Sequence, residues 1–292
     1  KLLINLFKHI KNDNYHIFFF ELLISMSNFC APDRQGNYNK LNSCFNKDEI
    51  NSIADKLDIS PTRSYKNKIK KIINKEKNCN DEYCVLDKNN LLKTDEARMA
   101  FKPVHPTNNK YEWLSNFDMN DVMEQYERKY TNFKFLGSVP IDFWDIYPRF
   151  KNFNLYHYFK KKINKFGVIF NLDPSHKGGS HWVSLYFECT RKNCDISFID
   201  SGGDEPDKEI KRFMNHIVDN ANEYRHRFNY PKMKININDV DMQKKDSECG
   251  VYCLYFITQR LKGKSFNQLI DKDLSDEKMN KYREHFFNKI TV

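Results

Sequence analysis

One stretch of this 292-residue chain is apolar on every side for more than two helical turns. The stretch, residues 249–257, contains no proline, and a helix of this kind is stable only when all its faces are buried. We therefore predict a central buried helix that carries Cys249 in its first turn, with Asp246 or Ser247 as its N-terminal cap. A chain of this length can bury such a core in one large domain or two smaller ones.

A cysteine at the start of a helix is a candidate nucleophile. The helix dipole and a nearby imidazole both favour the thiolate, which is the form that attacks a carbonyl group. His181 is the predicted base. Asp200 follows the apolar run 196–199, which predicts a strand that delivers a carboxylate to the sheet edge to orient His181. Gln243 precedes Cys249 by six residues, and its amide together with the Cys249 backbone N–H would bind an oxyanion.

Each of these residues also has an ordinary structural interpretation. A buried cysteine is usually a small apolar residue, and this is our interpretation of Cys253. His176 is an alternative base, although no tryptophan follows it as Trp182 follows His181. Asp195 and Asp204 are alternative acids, although neither ends an apolar run.

The order of these residues, together with the Trp after the His and the Gly after the Cys, resembles the ubiquitin-like-protein protease superfamily, which includes SUMO-specific and adenain-like (adenovirus-type) proteases. The segment 111–116 resembles the segment that opens their catalytic domain. The resemblance implies an α+β fold related to that of papain, in which helices flank a central mixed sheet. It also implies that Trp113 and Trp182 flank a narrow tunnel that admits only glycine. The implied activity is that of a cysteine peptidase that cleaves after Gly-Gly and needs no cofactor or metal.

Within this superfamily the chain most resembles the polyprotein-processing proteases of large DNA viruses, including African swine fever virus. The matching segments are 166–173, 177–180, 243–249 and 276–283. This likeness implies that the substrates are viral structural polyproteins cleaved during virion maturation. A protease that removes SUMO or another ubiquitin-like modifier is the alternative. The African swine fever virus enzyme resembles this chain but has Asn at the position of Asp200, and either residue can accept a hydrogen bond from an imidazole.

Two further functions stay open at this point. Bacterial effectors that resemble the superfamily transfer acyl groups with the same residues, and turnover of acetyl-coenzyme A would reveal such an activity. A binding module could also keep the groove without catalysis. Failure of a thiol-directed probe to label Cys249 would indicate that module.

The sequence pattern predicts a mainly helical accessory region over residues 1–100, a linker over 101–110 and a catalytic domain over 111–292. In the first region, Asn46 is the predicted cap of a helix from Lys47 to Leu57, and Ser60-Pro61 leads a second helix to about Lys77. The apolar residues 16–26 are too few for a membrane span and predict a core helix. In the last region we predict helices near 119–130, 206–222 and 274–288, a short extended segment around 133–139, and strands near 166–171, 181–188, 195–200 and 233–241.

The net charge of +9 permits weak, salt-sensitive attraction to DNA or acidic protein. Between residues 61 and 79 seven Lys or Arg accompany one acid, Glu76. The helix from Lys66 to Lys77 is therefore a candidate for weak DNA association, although an ordinary solvated helix face explains the same charges.

Eight cysteines without a repeated framework predict reduced thiols. We therefore expect a reducing compartment, namely the cytoplasm (viral factory) and the virion. The pairs Cys79 with Cys84 and Cys189 with Cys194 share one spacing. Together they could form a zinc site, but no histidine accompanies them, so zinc is the less favoured interpretation.

Overall fold

The computed structural model describes residues 29–105, 107, 109, 111–270 and 273–288. The chain divides into two compact units, Lys1–Phe101 and Lys102–Val292. The core helix predicted at 16–26 lies outside the described residues. Within the described ranges, no helix combines the length and the apolar character that a membrane crossing requires.

The described part of the first unit consists of short helices: α1 (Gln35–Leu41), α2 (Lys47–Lys56), α3 (Tyr65–Ile73), α4 (Glu82–Lys88) and α5 (Asp95–Ala100). Asn46 caps α2 as predicted, because its side chain accepts from two backbone N–H groups of the first turn. Helix α3 begins later than predicted. Ser64, not Ser60, accepts from the backbone N–H of Asn67 and starts the helix.

The second unit is built on a five-stranded sheet with the spatial order β1-β2-β3-β4-β5. The first two strands are parallel, the next two pairs are antiparallel, and β5 is parallel to β4. This mixed sheet confirms the predicted α+β class. The strands are β1 (Phe133–Pro140), β2 (Lys165–Asn171), β3 (Trp182–Cys189), β4 (Cys194–Ile199) and β5 (Lys234–Ile237).

Helices cover both faces of this sheet. The long helices are α6 (Asn116–Lys129), α10 (Lys208–Phe228), α11 (Cys249–Leu261) and α12 (Asp276–Phe286), and three short helices are α7 (Phe143–Ile146), α8 (Pro148–Lys151) and α9 (Leu155–Lys160). Helices α6, α11 and α12 contribute to one core, and α7–α10 contribute to the other. In β3, Tyr186 belongs to the first core whereas Val183, Leu185 and Phe187 belong to the second, as the alternation of side chains along a strand requires.

Helix α11 is buried along its whole length, as its sequence predicts. The prediction of its cap is wrong. Glu248 is the N-cap residue, and no side chain in the described part of the chain caps the helix. The hydroxyl of Ser247 instead donates to the Glu248 carboxylate over 2.8 Å. The first N–H groups of α11 are therefore left without a side-chain acceptor.

The prediction of reduced thiols is wrong for six of the eight cysteines. Cys30–Cys44, Cys79–Cys84 and Cys189–Cys194 form disulfides, with Cα atoms 5.3, 5.5 and 4.0 Å apart. Sequence spacing could not reveal this, because the first pair is brought together by tertiary folding and the third by the pairing of β3 with β4. The second and third pairs are those considered for zinc. The two free cysteines are Cys249 and Cys253.

Candidate active site

The antiparallel pairing of β3 with β4 brings His181 and Asp200 together. His181 immediately precedes β3 and Asp200 immediately follows β4, so both residues lie at the same end of the hairpin. The Nε2 atom of His181 lies 2.7 Å from Oδ1 of Asp200. The same carboxylate oxygen accepts the backbone N–H of Gly202 over 2.8 Å, which fixes the acid in place. The aspartate is buried, whereas 27% of the His181 side chain is exposed.

Cys249 lies close enough to His181 to affect the pKa of the imidazole. Burial lowers the pKa of His181, but the hydrogen bonds and negative charges of Asp200 and Cys249 outweigh burial and raise the pKa to about 10. The imidazolium form is therefore stabilised beside the sulfur, which is the arrangement that activates a cysteine nucleophile. Cys249 is the first residue of α11 and only 3% of its surface is exposed.

Gln243 reaches the same site from the loop before α11. Its Oε1 accepts from the hydroxyl of Ser201 over 2.6 Å, and its backbone N–H donates to the Ser201 carbonyl over 2.9 Å. The residue that follows the acid in sequence therefore orients the amide. One N–H of this amide is directed to the Lys245 carbonyl. With His181, Gln243 lines a pocket of about 310 Å³.

Trp113 lines this pocket and also a neighbouring groove of about 430 Å³, which it shares with Trp182. Trp182 is buried and its indole Nε1–H donates to the Leu114 carbonyl over 3.0 Å, so one tryptophan anchors the segment that carries the other. Trp113 remains 44% exposed. The two rings predicted as tunnel walls thus border one groove next to His181.

Two glycines allow close approaches that a side chain would hinder. Gly179 has a φ of +95°, and a Cβ atom there would lie 2.7 Å from Nδ2 of Asn171. It directs the chain into His181 at the start of β3. A Cβ atom at Gly250 would lie 3.2 Å from the Leu114 side chain. Gly250, which follows Cys249, therefore lets α11 pack closely against the Trp113 segment.

The alternative candidates lie elsewhere. His176 and Asp204 are exposed, and Asp195 is buried against the Arg260 guanidinium at 2.8 Å. Cys253 lies one turn beyond Cys249, is fully buried, and has a pKa raised well above its usual value by burial. We conclude that the structure brings the four predicted residues together and none of the alternatives.

Several residues of the site were not singled out from the sequence. Asn238 is buried and donates to the backbone carbonyl of Asp200, and Ser201 orients Gln243. Glu248 is fully buried beside the nucleophile and accepts from Asn280. Position alone could have indicated Ser201 and Glu248, because they adjoin Asp200 and Cys249. The other two partners come from distant segments, and only the fold reveals them.

A buried helix that presents a cysteine to a histidine on a neighbouring strand is the arrangement typical of cysteine peptidases. Comparison with known proteins agrees. A thiol protease of Acanthamoeba polyphaga mimivirus is 32% identical to this chain, and the alignment covers 89% of this chain and 93% of the relative. The SUMO-1 cysteine protease of African swine fever virus (isolate Pig/Kenya/KEN-50/1950) is 25% identical, with 72% and 83% covered.

The crystal structure of the African swine fever virus protease has the same fold, with a TM-score of 0.69 at 22% identity over 90% of this chain and 96% of that chain. The family model of YopJ serine/threonine acetyltransferases matches residues 95–289. The chain therefore belongs to the family of cysteine proteases that contains these viral enzymes, and its residues 95–289 belong to the YopJ family.

Proposed function

We propose that this protein is a cysteine endopeptidase that cleaves after Gly-Gly in viral structural polyproteins. The observation that carries the proposal is the contact of Asp200 with His181, with Cys249 near enough to raise the pKa of that imidazole and Gln243 on the pocket that His181 lines. These are the base, the orienting acid, the nucleophile and the oxyanion donor that thiol proteolysis requires.

In the proposed reaction the Cys249 sulfur attacks the carbonyl of the substrate glycine. The oxyanion that forms accepts hydrogen bonds from the Cys249 backbone N–H and from the second N–H of the Gln243 amide. Each such donor is worth roughly 3–4 kcal/mol in acyl-transfer enzymes. His181 gives its proton to the departing amine, which leaves a thioester on the sulfur. His181 then takes a proton from water, and the resulting attack releases the acid and restores the thiol.

The preference for glycine is proposed from the two tryptophans. Trp113 and Trp182 border one groove, and the hydrogen bond from Trp182 to the Leu114 carbonyl limits how far the two rings can separate. A substrate residue with a Cβ atom would have to displace one ring. Glycine alone passes without that cost.

Replacing Trp182 by Ala removes one wall and its tie to Leu114, so the variant is expected to lose at least about tenfold of its discrimination between Gly-Gly-X and Ala-Ala-X peptides. The ratio of kcat/KM for the two peptides measures this. Trp182→Phe is the matched control, because it keeps an aromatic wall while losing the indole N–H. Unchanged discrimination in Trp182→Ala would refute the tunnel.

The substrate class rests on the relatives, which are viral proteases, one of them described as a SUMO-1 cysteine protease. Removal of SUMO or another ubiquitin-like modifier is therefore the alternative. Incubation with a Gly-Gly-X peptide and with a SUMO fusion distinguishes the two. We expect cleavage of the peptide and not of the fusion, and the reverse result would favour the deconjugating protease.

The match of residues 95–289 to the YopJ acetyltransferase model supports a second candidate, acyl transfer. The same Cys249 would take an acetyl group from acetyl-coenzyme A as a thioester and pass it to a hydroxyl instead of water. Release of free coenzyme A on incubation with acetyl-coenzyme A and protein tests this. Peptide cleavage without coenzyme A release supports the peptidase.

We propose a weak contact with DNA through the basic surface, defined as Arg63, Lys66, Lys70, Lys71, Lys75 and Lys77, all exposed. Helix α3 turns Ile69 and Ile72 inward, so its lysines lie on the opposite side. The one acid of this stretch, Glu76, accepts from Asn89 instead of neutralising a lysine.

The location proposed for the peptidase activity is the cytoplasmic viral factory and the virion.

Changing Lys66 and Lys70 together to Gln is expected to weaken binding to a short DNA duplex about tenfold at low salt and to reduce the salt dependence of binding. Fluorescence anisotropy over a range of salt concentrations measures both. The control, Lys192 and Lys232 together changed to Gln, removes the same charge from exposed sites of the other unit. Equal weakening by both double variants would indicate net charge alone.

A further inference from the structure

The loop 243–248 carries Gln243 and leads into Cys249, the two candidate oxyanion donors, yet three of its six residues are exposed. Gln243 at its start is held by Ser201, whereas residues 244–246 face solvent. Hydrogen-bond donors assist a reaction only when they are fixed in place before the charge develops. Something outside the loop must therefore hold it.

Residues on one face of α12 form hydrogen bonds with the loop 243–248. The residues concerned are separated by four and then three positions, so they lie on one side of the helix. Asp276 Oδ2 accepts the backbone N–H of Lys244 at 2.9 Å. Asn280 Nδ2 donates to Glu248 Oε1 at 2.7 Å. The Arg283 guanidinium donates to the Ser247 carbonyl at 2.6 Å.

These contacts are partly buried and interconnected. Glu248 has no exposed surface, and its carboxylate also accepts the hydroxyl of Ser247. Arg283 is 3% exposed, and its Nε–H donates to Oδ1 of Asn280 at 3.0 Å, which fixes the direction of the Asn280 amide. A buried network in which every member is satisfied favours one geometry of the groups that it joins.

We propose that α12 is the positioning element of the oxyanion-binding loop, with Asn280 and Arg283 as its positioning residues. Neither side chain contacts the reacting atoms. They act through Glu248 and Ser247, which hold the peptide that leads into Cys249. This inference rests on the proposed acyl chemistry of Cys249. It gives a role to the segment 276–283, which the proposed mechanism leaves unused.

The test uses two reactions of the full chain that share the thiol but differ in whether an oxyanion forms. Hydrolysis of a Gly-Gly-X peptide forms one, and alkylation of Cys249 by iodoacetamide does not. In Asn280→Ala we expect kcat to fall about 10- to 100-fold with KM nearly unchanged, while the alkylation rate stays within about twofold. Lys281→Ala is the control, because Lys281 is exposed on the same helix.

Arg283→Lys provides a second variant that keeps the charge and loses the guanidinium geometry, in case Asn280→Ala does not fold. Wild-type kcat in both folded variants, or a parallel loss of kcat and alkylation, would overturn the inference alone. A wild-type protein that is alkylated at Cys249 but turns over neither a peptide nor acetyl-coenzyme A would overturn the proposed function, and the inference with it.

Discussion

Replacing Cys249 by Ala is expected to abolish turnover of a Gly-Gly-X peptide, a loss of roughly 10⁴-fold or more, because no other group at the site can form the acyl intermediate. The substitution removes one buried sulfur atom and should cost only about 1 kcal/mol of folding stability. The variant is therefore expected to fold and to bind substrate as the wild type does. Initial rates, a thermal melt and a peptide-binding titration measure the three properties.

Cys253→Ala is the matched control, since Cys253 lies in the same helix one turn away and is also a free buried thiol. Burial raises its pKa well above the usual value, so it stays protonated and unreactive. We expect near-normal activity in this variant, and labelling by iodoacetamide at Cys249 only. Activity that survived in Cys249→Ala, or label found on Cys253, would contradict the assignment of the nucleophile.

Replacing His181 by Ala is expected to lower kcat/KM roughly 10³-fold or more at neutral pH, because the variant loses both the proton carrier and the cation that stabilises the thiolate. Initial rates across pH measure the effect. In the wild type the activity should decline in alkaline solution near pH 10, because His181, whose pKa is raised to about 10, loses its proton there.

Asp200→Asn gives the graded comparison. The oxygen that contacts His181 also accepts the Gly202 N–H, and an amide oxygen can accept both hydrogen bonds. We expect activity within about tenfold of wild type. The negative charge of Asp200 that helps to raise the His181 pKa is lost, so the alkaline decline in activity should occur at lower pH. An Asp200→Asn enzyme as inactive as Cys249→Ala would show that the acid does more than orient the base.

Sequence patterns predicted the parts of this molecule that depend on local periodicity. Helix α11 was identified because it is apolar on all sides, and the sheet strands were located because apolar runs end at polar residues such as Asp200. The four candidate site residues were found by their order and spacing. The structure then placed them on one hairpin end, one loop and one helix start.

The features that sequence reasoning missed depend on pairs of distant residues. Nothing near Cys30 indicates Cys44 as its partner, and nothing near Glu248 indicates Asn280. The cap of α11 was predicted wrongly because Ser247, a good capping residue, uses its hydroxyl on the neighbouring carboxylate. The disulfide and the Asn280 contact are tertiary, whereas at the cap one local hydrogen bond replaced another that the residue type also favours.

The close packing at Gly250 links the segment that carries Trp113 to the helical turn that carries Cys249. A Cβ atom at Gly250 would require the Leu114 side chain to move by a few tenths of an ångström, and the Leu114 carbonyl accepts the indole N–H of Trp182. We therefore expect a change that displaces the Trp113 segment to alter the packing beside Cys249. A variant that accepts a broader range of substrates would therefore also need changes in the residues that pack around Cys249.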